Sequence, residues 1–131
     1  MTVAFWCVAV AAILPYVFVG YAKSTRTYVV GGKNRAPRLY AEELDGPRKR
    51  AYWAQLNGFE AFPPFAASVA IASLANAPSA PVDALAIFFV ACRTLHGVCY
   101  IADWATARSI AWSLGLGTVV AIFIAASGTL G

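Results

Sequence analysis

The sequence predicts an all-α integral membrane protein, a four-transmembrane-helix bundle with up-down antiparallel topology. Composition is the first sign. Of the 131 residues, 60% are hydrophobic and only 12% charged, where a soluble domain carries roughly 25% charged residues. The mean hydropathy is accordingly high, at +0.66. The charges also cluster, leaving long uncharged stretches, each near the ~20 residues that cross a bilayer core of about 30 Å. Residues 1–131 form one domain, with no room for a soluble domain beside it.

The first predicted span covers residues 3–22, VAFWCVAVAAILPYVFVGYA, with Pro15 as a kink. No basic residue precedes its apolar core and positive charge follows it, which predicts a retained membrane helix rather than a cleaved leader. Residues 23–50 hold eight of the ten Lys and Arg, with Gly31, Gly32, Pro37 and Pro47 as breakers. The second, third and fourth spans cover 51–76, 82–102 and 108–128. The links between them, APSAP at 77–81 and the stretch 103–107, are short and force antiparallel neighbours.

Charge orients the bundle. The basic segment 23–50 belongs in the cytoplasm by the positive-inside rule, and Arg108 falls on the same side. Both termini and APSAP then lie on the non-cytoplasmic side. The net charge of +4 follows from this segment, whose partners are anionic lipid headgroups and not nucleic acid. Cys7, Cys92 and Cys99 all lie in apolar stretches with no CxxC pair and no metal-ligand spacing, so they are small buried hydrophobes and no metal site is expected. Gly117, Ala121 and Ala125 recur every fourth residue on the fourth helix, a stripe that allows close helix approach or simply lends flexibility.

Polar residues inside the spans are few, and a charge there costs enough that it faces the bundle interior and pairs. Asn57 and Glu60, three apart, share a face of the second helix. Arg93, His96 and Tyr100 line one face of the third. Counted from Arg50 and Asp103, Glu60 and Arg93 both lie about 15 Å deep and Asn57 and His96 about 10 Å deep. The depths predict a Glu60–Arg93 pair, with Asn57 level with His96, in a polar pocket open to the cytoplasm. Interhelical hydrogen-bond glue is the plain alternative. An ion pathway is another, although Asp83 is the only carboxylate in the outer half. Pro63 and Pro64, just past Glu60, are expected to bend the helix and widen the cytoplasmic half.

These residues resemble the MAPEG family, the membrane-associated proteins of eicosanoid and glutathione metabolism, in a small, bacterial-type form. RAYWAQLNGFEAFPPF is similar to the family's second-helix motif, RTLHGVCY to its Arg-x-x-His-x-x-x-Tyr third helix, and ARSIAWSLG to its fourth-helix start. The resemblance implies a homotrimer of four-helix subunits, with glutathione as co-substrate bound between subunits at the cytoplasmic side. It implies that Asn57, Glu60, Arg93, His96 and Tyr100, with Ser109, surround glutathione. Arg108 is the implied catalytic residue, a cation beside the sulfur that favours thiolate over thiol. Trp53 and Gln55 stand where the family often has Arg and His, and Lys23 or Arg26 would supply a further anion contact from the end of the first helix. The implied function is a membrane glutathione transferase or peroxidase acting on lipophilic electrophiles drawn from the bilayer. A non-enzymatic lipid-binding or scaffold protein of the same fold is the alternative.

Overall fold

The computed structural model describes residues 1–128. Four long helices dominate them: α1 (Val3–Lys23), α4 (Gly46–Leu74), α5 (Ser79–Ile101) and α6 (Ala105–Ser127), with two short helices, α2 (Arg26–Val29) and α3 (Pro37–Glu43), between the first two. Helices α1 and α6 each pack against both α4 and α5. By length and apolar composition α1, α5 and α6 can each cross a membrane. Helix α4, at 29 residues the longest, is made more polar by its basic first turn and by Gln55, Asn57 and Glu60.

Two glycines set the distance of α1 from its neighbours. A Cβ on Gly58 would lie 2.8 Å from Cγ of Pro15, and one on Gly97 only 1.9 Å from the ring of Phe18. Pro15 and Phe18 are both buried, so α1 seats a proline on α4 and a phenyl ring on α5 where no side chain projects. Gly117, the start of the small-residue stripe, has open space where its Cβ would be, whereas Gly115 is the buried glycine of α6.

The half of the bundle nearest the α4–α5 turn, called here the turn end, holds the main apolar core. Ala4, Cys7, Phe65, Val69, Ala86, Phe89 and Ile122 belong to it, and Phe65 and Phe89 stack with centroids 3.8 Å apart. Asp83 closes this end by accepting a 2.7 Å hydrogen bond from the Ala4 amide, one of the amides that the first turn of a helix leaves unpaired. The turn itself is a Schellman cap. Asn76 adopts φ 55°, and the amides of Ala77 and Asn76 donate to the carbonyls of Ala72 (2.9 Å) and Ser73 (3.1 Å). Asp103 repeats the device after α5 at φ 62°, with Trp104 N–H donating to Cys99 (2.9 Å) and Asp103 N–H to Tyr100 (3.2 Å).

The opposite half, the loop end, differs from the expectation of an open basic loop. Residues 23–50 fold into α2, a 3-10 turn at Lys33–Arg35, α3, and the first turn of α4, which starts at Gly46 rather than at 51. The run Arg48-Lys49-Arg50 lies inside α4, and each of its cations serves a different helix terminus. Arg48 donates to the Tyr21 carbonyl, and to the Ser24 hydroxyl at 2.9 Å, at the end of α1. Lys49 donates to the Ala41 (3.1 Å) and Glu42 carbonyls at the end of α3. Arg50 donates through Nε to the Ile101 carbonyl at 3.1 Å, at the end of α5. Helix C-termini leave carbonyls unpaired and carry partial negative charge, so three consecutive cations gather three helices. A small apolar cluster of Ala22, Ala41, Ala51 and Tyr52 packs beneath them.

Candidate functional site

The polar residues of α4 and α5 meet in the loop-end half, on its side towards the middle of the bundle. Helix α4 runs unbroken through Pro63 and Pro64, and both prolines lie on its exposed side. One turn before them, Asn57 donates through Nδ2 to Glu60 Oε2 at 3.3 Å and accepts at Oδ1 from Arg93 Nη2 at 2.7 Å. The amide of Asn57 therefore bridges the cation and the carboxylate, and the expected direct Glu60–Arg93 ion pair does not form. The reason is register. Asn57 projects one turn closer to the loop end than Glu60, and the long Arg93 side chain reaches it. Arg93 is only 6% exposed, whereas Glu60 lies on the outer surface of the bundle. Asn57, expected only to lie level with His96, is thus the partner of Arg93.

A second assembly surrounds Tyr100. The Arg108 guanidinium lies 4.7 Å from the centre of the Tyr100 ring. His96 meets the same ring edge-on at 5.5 Å, and Trp53 approaches it from α4 at 6.3 Å, tilted by 48°. His96 is 3% exposed, and its Nδ1 has no hydrogen-bond partner among the described residues. Arg108 has no carboxylate within ion-pair distance among the described residues. Its place is given by the aromatic face beneath it, a contact worth ~0.5–2 kcal/mol depending on desolvation.

Two spaces adjoin these groups. An open groove of about 380 Å³ is lined by Trp53, Leu56, Asn57, Glu60 and Tyr100, within the ~300–1,000 Å³ typical of small-molecule sites. A cavity of about 160 Å³ lies between α4, α5 and α6, where Arg93, Asn57 and Glu60 form its polar end and Phe89, Pro64, Leu116 and Val119 are among its apolar lining. Asn57 and Glu60 belong to both. Ser109 is exposed and lines neither, and its carbonyl accepts from the Ser113 hydroxyl. Gln55 is half-buried and also lines neither. Lys23 sits over the Tyr28 ring at 5.6 Å, and neither Lys23 nor Arg26 lines the groove.

The residues that sequence reasoning missed are apolar: Leu56 and Ala61 on α4, Phe89 on α5, and four on α6. Trp112, Gly115, Leu116 and Val119 wall the cavity, but in a helix apolar on all sides nothing marks one apolar face from another. Their spacing of three and four from one another was the available signal.

A family model matches this chain over residues 3–128, nearly its whole length. No curated protein and no solved structure matches it. The match spans all four long helices and includes every residue of the two assemblies. The chain belongs to the MAPEG family, which includes glutathione-dependent transferases and peroxidases.

Proposed function

We propose that this protein is a glutathione-dependent membrane enzyme, of transferase or peroxidase type, acting on lipophilic electrophiles. The observation that carries the proposal is Arg108, a guanidinium with no carboxylate partner among the described residues, stacked on a tyrosine that lines an open groove. A cation so placed has charge to offer a ligand. Beside a thiol it stabilises the thiolate, the form that attacks. The thiol proton leaves to water at the cytoplasmic end of the groove. The sulfur then bonds to the electrophilic carbon, and the leaving group departs with its electron pair.

Other groups hold the tripeptide. Glu60 faces the groove and suits its ammonium group. Asn57 presents an amide whose orientation is set on both sides, by Arg93 at its oxygen and Glu60 at its nitrogen. Arg93 and His96 act from behind this surface. Ser109 lies one residue from Arg108 and would meet ligand only across a subunit boundary.

Glu60 also supports an oligomer, which we propose is a trimer. It lies about 15 Å into the bundle by helix rise and is exposed on the single subunit, where a carboxylate facing hydrocarbon costs several kcal/mol. A neighbouring copy over the groove removes that cost and encloses glutathione between subunits. Helix α4 packs along α1, α5 and α6, which supports four membrane crossings, with the basic segment in the cytoplasm and the termini outside. Arg26 and Arg35, exposed beside Val29 and Val30, suit anionic lipid headgroups.

The test is conjugation of glutathione to a generic aryl halide by purified protein, compared with Arg108→Ala. We expect thiol-dependent turnover in the parent and a loss of at least about a hundredfold in the variant, the scale of removing a group that stabilises developing negative charge. Activity unchanged in Arg108→Ala removes that residue from the mechanism. The apolar side of the 160 Å³ cavity favours one competing role, lipid binding without turnover. Saturable lipid binding with no thiol-dependent rate would establish that role instead.

A further inference from the structure

We infer that Trp53 is a positioning residue for Arg108: its indole braces the Tyr100 ring on which the Arg108 guanidinium sits. The inference rests on the proposed thiolate role of Arg108, and it adds a residue from a different helix to that role.

Three contacts hold the Tyr100 ring. His96 meets it from the same helix. Arg108 covers it from α6. Trp53 is its partner from α4, at a separation within the ~4.5–7 Å over which aromatic pairs attract. Arg108 has no ion pair of its own among the described residues, so its position follows the ring. Trp53 and Tyr100 both line the groove, so the indole is the ring's neighbour on that side.

Two neighbours on α4 bear on the position of Trp53. It lies one turn after Arg50, whose hydrogen bond to Ile101 ties α4 to the α5 residue next to Tyr100. The Lys49 ammonium lies 5.9 Å from the indole while bonded to the end of α3. Lys49, Trp53, Tyr100 and Arg108 thus form a chain of contacts from α4 through α5 to α6, with the two rings tilted by 48° and the Lys49 ammonium shared with the Tyr52 ring at 5.5 Å; Trp53 and Tyr100 line the groove, and Arg108 lies behind Tyr100. Trp53 is 44% exposed, more than an anchoring role in the subunit core requires. Tryptophan at a membrane surface is also a common interfacial anchor, and the two roles predict different results.

The experiment is the pH profile of kcat/KM for glutathione with an aryl halide, for the parent, Trp53→Phe, Trp53→Leu and Trp53→Ala, alongside thermal melting in the same detergent. Trp53→Phe keeps a ring against Tyr100 and is expected within about twofold of the parent. Trp53→Leu and Trp53→Ala are expected to move the acid limb up by about one pH unit, so that the rate at a fixed pH on that limb falls about tenfold. Leucine retains apolar bulk, so it serves where the alanine variant does not fold. A profile unmoved in the leucine variant, whatever its melting temperature, overturns the inference and leaves an interfacial anchor. No thiol-dependent rate in the parent overturns the functional proposal, and with it the inference.

Discussion

The two ends of the bundle are built on different physics. At the turn end, apolar side chains do the work: Phe65 is fully buried and stacked on Phe89, and small residues such as Ala4, Ala72 and Ala86 let the helices close around them. At the loop end the apolar cluster is small, and order comes from polar contacts. Arg48, Lys49 and Arg50 cap three helices, Asn57 bridges Arg93 to Glu60, and Tyr100 gathers His96, Trp53 and Arg108. A packed apolar end holds the fold while leaving the polar end free to be open. Both spaces of the candidate site adjoin the polar network, and the larger opens to the surface.

That contrast is sharpest at its extremes. Phe65→Ala at the turn end is expected to destabilise the bundle most, by about 4 kcal/mol, through lost burial and the cavity left behind. Chemical denaturation in mixed micelles measures it. Asn57→Leu at the loop end should cost about 3 kcal/mol, because it leaves a buried guanidinium without its acceptor. Glu60→Gln should cost less, since the bond from Arg93 to Asn57 survives. Equal losses for these two would mean that Glu60 neutralises Arg93 directly. Gly97→Ala should cost about 2 kcal/mol by forcing the Phe18 ring aside, with the loss largely recovered in the Gly97→Ala, Phe18→Leu double variant.

Smaller effects probe the caps. Arg50→Gln is expected to cost about 1 kcal/mol, the usual scale of a lost capping interaction. It should also shorten the lifetime of slowly exchanging amides at the end of α5. No change in exchange there would separate Arg50 from the α5 terminus. Gly117→Ala should lie within about 1 kcal/mol of the parent, since nothing among the described residues meets its Cβ. A larger loss confined to the oligomer would mark that stripe as a subunit contact.

The long helices were legible because runs of apolar residues between charge clusters have no soluble alternative of similar energy. The Asn57–Glu60 face and the Arg93–His96–Tyr100 face were legible from spacing alone. What partners them was less so. Depth counting placed Arg93 opposite Glu60, but one turn of axial offset is within the reach of an arginine, and the amide intercepted it. The run Arg48-Lys49-Arg50 was legible only as positive charge. Its work depends on three helix termini that residues 21–24, 41–42 and 101 bring to it in space. Helices α2 and α3 were hidden by the very glycines and prolines that bound them, with Pro37 opening α3 and Gly46 and Pro47 opening α4.

The central claim is that Arg108 on Tyr100 makes a thiolate, and ultraviolet difference absorbance of glutathione added to the purified protein tests it directly. A thiolate band is expected near neutral pH at millimolar glutathione in the parent and is expected to be absent in Arg108→Ala. No band in the parent, or an equal band in the variant, would contradict it.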